Sequence, residues 1–268
     1  MIKYVLMAVI LFLLFRMNTI LGVAATVIFI LYVLYTNRAA LYARKGNEAF
    51  NKNDQKKALD YYKKAYDTQA ASANIMITYG ILLLRNAYPS EAVTVFNMAV
   101  AKSNGKNEVK NKAKQYRALA YFKMGNTQDA MEEAEELFEN YKNTVSYALI
   151  CYLKLATNAP AEETLALCKE AYDYNSDERD ICDNLALSYI VNGEYDKAKE
   201  ILNNLLEKEP EFTEAYYHMA LACAKSGEKE KARELLSEID DKCTRTYMTT
   251  VSKKEIEELK AQLDMCGK

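Results

Sequence analysis

Two hydrophobic patterns divide the chain. Residues 4–35 are apolar almost throughout, and their main interruption is a polar cluster at residues 16–19. Beyond residue 38, small and aromatic residues instead recur in a fixed frame separated by short polar stretches. The first pattern predicts two apolar helices, 4–16 and 19–36, and the second predicts a series of similar helix pairs.

The apolar segment is too long for one membrane crossing. As a single helix its 32 residues would extend about 48 Å, against a hydrocarbon core of about 30 Å, and Arg16 would lie near the membrane centre. A break near Met17 removes both problems. Residues 1–38 are therefore predicted to form a transmembrane helical hairpin that anchors the protein.

The charges that follow this segment predict its orientation. Arg38, Arg44 and Lys45 open a basic flank, and such flanks tend to remain in the cytoplasm. Residues 37–268 would then face the cytoplasm at the plasma or inner membrane. A cleaved signal peptide is one alternative, although no small-residue cleavage site precedes the second apolar stretch. A buried helix of a soluble protein is the other.

The recurring frame is built around small residues. Gly46, for example, is followed by Ala58, Tyr62 and Ala65. The equivalent anchors lie 34, 38, 34, 34 and 34 residues apart, at Gly46, Gly80, Ala118, Tyr152, Ala186 and Ala220. Small residues at a helix crossing let two axes approach closely, and the larger neighbours fill the adjoining space.

This frame resembles the tetratricopeptide repeat, a pair of antiparallel helices. The resemblance implies an all-α, right-handed solenoid of six helix pairs, here called repeats 1 to 6. Their expected ranges are 39–72, 73–106, 111–144, 145–178, 179–212 and 213–246. Ser252 and Glu255 predict a capping box, which would open a C-terminal capping helix within residues 247–268.

The sequence departs from the family pattern at a few positions. Repeat 4 has Tyr152 and Thr164 where small residues are expected, which predicts a distorted unit. Pro210 is the one proline at the end of a repeat, and residues 107–110 are additional to the period. We expect these four residues to lengthen a loop.

Composition agrees with a helical protein and argues against several functions. Eight Gly and three Pro among 268 residues exclude a turn-rich or disordered chain. The net charge of −2 hides a gradient from +10 over residues 37–128 to −14 over residues 129–268. A basic half beside the apolar N-terminus suggests an anionic surface nearby, whereas the total gives no case for nucleic-acid binding.

Candidate chemistry is sparse. None of the six cysteines forms a Cys-x-x-Cys pair, and His218 is the only histidine, which argues against a zinc or redox centre. Four cysteines fall within predicted helices as small buried residues, whereas Cys243 and Cys266 are the more exposed candidates. We therefore expect no catalytic residue, metal or cofactor.

The resemblance places the binding surface on the first helix of each repeat, one, four and five positions after the anchor. The predicted groove residues are Asn47, Phe50, Asn51, Ile81, Leu84, Arg85, Leu119, Phe122, Lys123, Leu153, Leu187, Ile190 and Leu221. Such an apolar row would suit an extended or helical peptide. The alternative is that the row only packs against the neighbouring repeat.

Two further binding features are visible. Repeat 1 partly resembles co-chaperone repeats that clamp a carboxylate, with matches at Asn47 and Lys112 but not at Ala43, Thr78 or Tyr116. A separate basic stretch could contact anionic lipid headgroups or an acidic partner. It comprises Lys102, Lys106, Lys110, Lys112, Lys114 and Arg117.

These features predict a membrane-anchored scaffold that binds proteins through the concave face of a cytoplasmic solenoid. One alternative is an extracytoplasmic repeat protein that assists envelope biogenesis or protein quality control. Another is a structural protein that assembles with copies of itself. The sequence leaves the partner and the oligomeric state open.

Overall fold

The structure is a computed structural model that describes residues 2–208, 212–243 and 249–265. Within these ranges it contains fifteen α-helices and no strand. The helices are α1 Ile2–Met17, α2 Thr19–Thr36, α3 Arg38–Phe50, α4 Gln55–Asp67, α5 Ala73–Arg85, α6 Pro89–Ala101, α7 Asn107–Lys123, α8 Thr127–Asn140, α9 Thr144–Ala156, α10 Ala161–Tyr174, α11 Arg179–Val191, α12 Tyr195–Lys208, α13 Thr213–Lys225, α14 Lys229–Lys242 and α15 Lys253–Met265. The chain divides into an N-terminal part, Met1–Leu82, and a C-terminal part, Leu83–Lys268.

In the N-terminal part, α1 and α2 pack against each other as a hairpin. The break lies at Asn18, whose extended backbone and side-chain oxygen cap α2 by accepting from the backbone N–H groups of Ile20 and Leu21. The Phe15 ring covers Gly22, where an added Cβ would lie 2.4 Å from the ring. A glycine at this position therefore permits the close packing of α1 against α2.

The two helices bury little else. Their less exposed side chains follow helical spacing and face one another: Met7, Leu11 and Leu14 on α1, and Ala25, Thr26, Phe29 and Val33 on α2. Among the described helices, Thr19–Thr36 alone is long and apolar enough to cross a membrane. Its mean hydropathy is 2.2 and only 6% of it is buried.

Arg38 connects this hairpin to the first repeat. Its guanidinium donates to the carbonyl oxygen of Tyr35 at 2.8 Å and to that of Thr68 at 2.9 Å. It also lies 4.0 Å from the centre of the Tyr35 ring. Because Asn37 alone separates α2 from α3, the repeat follows the apolar helix directly.

The C-terminal part is an α-solenoid of consecutive helix pairs. From α6 to α14 each helix packs against the next, and the first helices of successive repeats also touch, α7 with α9, α9 with α11 and α11 with α13. Two clusters of buried side chains fill the space between the helices of repeats 3 to 6. The first helices therefore form one continuous wall.

The four additional residues of repeat 3 lie in a helix and not in a loop. Residues 107–110 form the first turn of α7, which has 17 residues where most first helices have 13. Helical hydrogen bonding begins with the N–H of Lys110 donating to the carbonyl of Lys106. The expectation of a longer loop was wrong because polar residues on an exposed first turn propagate a helix as readily as they form a loop.

Repeat 4 keeps its helices despite the two unusual residues. Helices α9 and α10 have 13 and 14 residues. Thr164 is buried, and its hydroxyl has no partner among the described residues. Tyr152 turns its ring edge-on to Phe122, with 5.5 Å between ring centres. The large residue at this crossing thus contacts the preceding repeat.

Helix α15 covers the last repeat. The predicted capping box is confirmed, since the Ser252 N–H donates to a Glu255 carboxylate oxygen at 2.6 Å and the Glu255 N–H donates to the Ser252 hydroxyl at 3.2 Å. Ile256, Leu259 and Leu263 are buried in the cluster formed with α13 and α14. Pro210, the expected end of repeat 5, lies outside the described residues.

Candidate functional site

The wall formed by α7, α9, α11 and α13 positions most of the predicted groove residues. Leu119, Phe122, Lys123, Leu187 and Leu221 are partly exposed. Their partial exposure leaves side-chain surface that a ligand could contact.

Three other predicted residues offer no such surface. Leu84 and Leu153 are fully buried, and Ile190 is 7% exposed. Leu153 belongs to the buried cluster of repeats 3 to 5, and Ile190 to that of repeats 5 and 6. At these positions the row packs inside the protein, which is the alternative that the sequence left open.

In repeat 1 the predicted residues surround a helix crossing. Tyr62 covers Gly46, and its hydroxyl donates to the Asn47 side-chain oxygen at 2.6 Å. Burial raises the pKa of Tyr62, although hydrogen bonds with Thr78 and Asn47 oppose this. Asn47, a residue of the partial carboxylate clamp, therefore already has a partner. Phe50 is 38% exposed.

The remaining predicted groove residues are Asn51, Ile81 and Arg85. Asn51 follows α3 as its C-cap and is exposed. Ile81 and Arg85 are partly exposed on α5.

The C-terminal part places a polar cluster on the wall between α7 and α13. The Lys123 ammonium group donates to the carbonyl oxygen of Thr249 at 3.2 Å. A Glu214 carboxylate oxygen accepts from the Thr250 N–H at 2.7 Å and from the Thr250 hydroxyl at 3.1 Å. Val251, the next residue, is 4% exposed and lies in the buried cluster of repeats 5 and 6. The segment Thr249–Val251 thus lies against the predicted groove.

Burial changes the ionisation of this cluster. It lowers the pKa of Lys123, against the opposing charges of Glu214 and Glu255. Burial also raises the pKa of Tyr152, and the same two carboxylates add to this effect. For Tyr217, burial and the charge of Glu255 raise the pKa to about 12. Both tyrosines therefore remain neutral, and Lys123 faces a region of negative potential.

A second buried polar pair lies beside this cluster. His218 Nδ1 of α13 is 2.7 Å from Asp183 Oδ1 of α11, and both side chains are buried. The next residue of α11, Asn184, donates to the carbonyl oxygen of Ala148 in α9 at 2.9 Å. These bonds fix the first helices of repeats 4 to 6 relative to one another.

Sequence reasoning did not identify Glu214, Tyr152 or Asp183 as part of the groove. Glu214 lies six positions before Ala220, the anchor of repeat 6. The family resemblance places binding residues only at positions after the anchor. Lys123 and Thr249 are 126 residues apart, and no local pattern connects them.

The predicted basic stretch is partly used within the fold. Lys114 contacts both carboxylate oxygens of Glu136 at 2.7 Å. Arg117 binds Glu133, with 2.9 Å between Nε and Oε2, and donates to Asn97 at 2.5 Å. Lys102 is partly exposed, and the fully exposed members of the set are Lys106, Lys110 and Lys112.

The described cysteines are mostly buried. Cys151, Cys168, Cys182 and Cys223 are buried, and Cys243 is partly exposed. A hydrogen bond with the Cys168 thiol, together with burial, raises the pKa of Cys151 and keeps it protonated. Cys266 lies outside the described residues. Within the described ranges, no group of three or more His, Cys, Asp or Glu side chains could hold a metal ion.

Comparison with known proteins identifies the repeats. Sequence profiles described as tetratricopeptide repeat match residues 39–71, 112–144, 161–222 and 192–242. These matches together cover more than half of the chain. The chain contains tetratricopeptide repeats. No curated protein matches it in sequence.

Solved tetratricopeptide-repeat structures share the fold. A tetratricopeptide repeat protein from Parabacteroides merdae ATCC 43184 has a TM-score of 0.58 and 16% identity, over 85% of this chain and 86% of its own. A thermophilic protein of this kind in Thermus thermophilus has a TM-score of 0.58 and 18% identity, over 72% of this chain and 100% of its own. A chain of the APC/C hetero-tetramer Cut9–Hcn1 has a TM-score of 0.65 and 13% identity, over 83% of this chain and 42% of its own. At these identities the likeness concerns the fold alone. Tetratricopeptide-repeat domains generally bind protein or peptide partners.

Proposed function

We propose that this protein is a membrane-anchored tetratricopeptide-repeat scaffold that binds a protein partner on the cytoplasmic side through the wall of α7, α9, α11 and α13. The observation that carries the proposal is the direct succession of the apolar helix α2 and the first repeat, with one residue between them. Helix α2 has 18 residues, about 27 Å at 1.5 Å per residue, which is close to the hydrocarbon thickness of a bilayer.

The exposure of α2 supports a lipid contact. Ile20, Ile28 and Leu31 are 78%, 67% and 61% exposed, and an apolar surface of this extent is typical of a membrane or protein contact. Arg38 and the other basic residues after α2 favour a cytoplasmic position for the repeats.

A charge placed in α2 tests the anchor. Ile28 lies at the middle of the helix, so Ile28→Arg should release the full-length chain from membranes in a flotation assay, because a charge at the bilayer centre costs about 3 kcal/mol. Val145→Arg is the matched control, since Val145 is 51% exposed on α9, outside the anchor. Retention of Ile28→Arg on membranes after carbonate washing would contradict anchoring by α2.

Thiol labelling in intact cells tests the orientation. Met17→Cys lies in the turn between α1 and α2 and is 77% exposed, and Gln128→Cys lies on the exposed start of α8. A membrane-impermeant maleimide should label position 17 and spare position 128 until the cells are permeabilised. Labelling at 128 in intact cells would instead assign the repeats to the cell envelope.

A further inference from the structure

One residue of the predicted groove, Lys123, already contacts another segment of the chain, Thr249–Val251. Two bonds hold the segment Thr249–Val251 against α7 and α13 through its main chain, one from Lys123 to the Thr249 carbonyl and one from the Thr250 N–H to Glu214. Main-chain groups are common to every extended peptide. Lys123 and Glu214 therefore contact groups that another peptide would also present.

Side chains add selectivity at two positions. The Thr250 hydroxyl contacts the same Glu214 oxygen that accepts from its N–H. Val251 fills an apolar site beside α13 and α15. A matching ligand would present a hydroxyl residue followed by a β-branched apolar residue at a bend of its backbone, as Thr250 and Val251 do.

Val251 shares one buried cluster with the helix that follows it, but α15 has further contacts of its own. Helix α15 is fixed by its own buried face, Ile256, Leu259 and Leu263, and by Arg233, which donates to the Leu263 carbonyl at 2.7 Å. When residues 249–251 are released, these contacts of α15 would keep the last repeat covered.

We propose that Thr249–Val251 is a built-in competitor for the peptide site of this protein, and that a partner segment of the Thr-Val type binds between Lys123 and Glu214 by displacing it. This inference rests on the proposed function, because it assumes that the groove binds protein. A tethered segment acts at an effective concentration of the order of millimolar. Weak ligands therefore do not displace the segment, and only ligands that match the site well bind.

A peptide added in trans tests the competition. The probe is a fluorescent peptide with the sequence of residues 247–253, YMTTVSK, titrated into the full-length protein in detergent. Val251→Asp removes the apolar contact of the internal segment and should bind the peptide at least about tenfold more tightly than the wild type does. Gln128→Asp, on the exposed start of α8, adds the same charge outside the segment and the wall and is the matched control, with wild-type affinity expected.

Two further changes locate the binding. Lys123→Met added to Val251→Asp should weaken peptide binding again, and a peptide with proline at the position of Thr250 should not bind, because it lacks the N–H that Glu214 accepts. Circular dichroism reports whether Val251→Asp keeps the helical content. If it does not, Val251→Ser is the milder variant in the same assay.

The outcomes separate the inference from the proposed function. Equal affinity for wild type and Val251→Asp, with loss on Lys123→Met, would retain the groove as a peptide site and overturn the internal competitor. Absence of binding to every variant would overturn the inference, whereas the proposed function would still depend on the flotation and labelling tests. A wild-type dimer that Val251→Asp abolishes would assign the segment to a second copy and overturn its role within one chain.

Discussion

His218 Nδ1 lies 2.7 Å from Asp183 Oδ1 and joins α13 to α11 inside the protein. Burial lowers the pKa of His218, but the charge and the hydrogen bond of Asp183, together with the charges of Glu214 and Glu255, outweigh burial and raise it. The net pKa is above the ordinary value of 6.5. The folded state therefore binds a proton at His218 more tightly than the unfolded state does.

This pair predicts a pH dependence of stability. A pKa that is higher in the folded state contributes stability that is complete below the unfolded value, about 6.5, and is lost as pH rises through the folded value. We expect the unfolding midpoint of the wild type to fall over that window and that of His218→Gln to change less. Urea unfolding followed by circular dichroism between about pH 5.5 and 8.5 measures both. A parallel pH profile for the two proteins would contradict this assignment.

Removing the histidine side chain has a larger effect. His218→Ala leaves the buried Asp183 carboxylate without its partner, and such an uncompensated charge destabilises by about 3 to 5 kcal/mol. The double variant His218→Ala, Asp183→Leu should recover part of this loss because it removes the charge as well. Unfolding at pH 6 checks both variants, and an additive effect of the two substitutions would exclude coupling between them.

Gly46 predicts a second stability effect. An added Cβ at this position would lie 2.6 Å from the Tyr62 ring, and Tyr62 is 4% exposed and hydrogen-bonded to Asn47. Gly46→Ala should therefore destabilise α3 and α4 by about 1 to 3 kcal/mol through overpacking, although alanine favours a helix by about 1 kcal/mol.

Hydrogen exchange in α3 and α4 measures this local effect, since repeats unfold in part independently. A second change from Tyr62 to Leu should restore protection by making room for the methyl group. Slower exchange in Gly46→Ala alone would show that the helix preference outweighs the clash.

Much of the fold follows from short-range patterns. The helices and their pairing are predictable because small residues recur at a fixed period, and Ala58, Ala92, Ala118 and Ala130 are all fully buried. The turn at Asn18 was predictable because a polar cluster at residues 16–19 interrupts the apolar segment. The capping box of α15 is likewise a local pattern of two residues three positions apart.

The groove was less predictable because its properties depend on distant contacts. Leu153 and Leu187 occupy equivalent positions in the frame, yet the first is fully buried and the second is partly exposed. The difference arises from how the neighbouring repeats pack against each leucine, and the sequence of a single repeat does not determine that packing. The contact of Lys123 with Thr249 likewise spans four repeats.

Arg117 provides a test of which basic residues support the fold. Its guanidinium and the Glu133 carboxylate are 17% and 8% exposed, so Glu133→Ala leaves a poorly solvated cation and should cost about 2 to 3 kcal/mol. The control is Lys112→Ala, because Lys112 is exposed and such substitutions usually change stability by less than about 0.5 kcal/mol. Equal melting curves for the two variants would show that the ion pair contributes little and that Arg117 is available to an external anion.

Leu153 and Leu187 determine whether the apolar row packs or binds. Leu153→Ala should destabilise by about 2 to 5 kcal/mol because it opens a cavity among buried side chains. Leu187→Ala removes a partly exposed side chain and should cost about 1 kcal/mol. Hydrogen exchange in α9 and α11 reports each loss locally. If the two losses are equal, Leu187 is a core residue, and the ligand surface reduces to the cluster around Lys123 and Glu214.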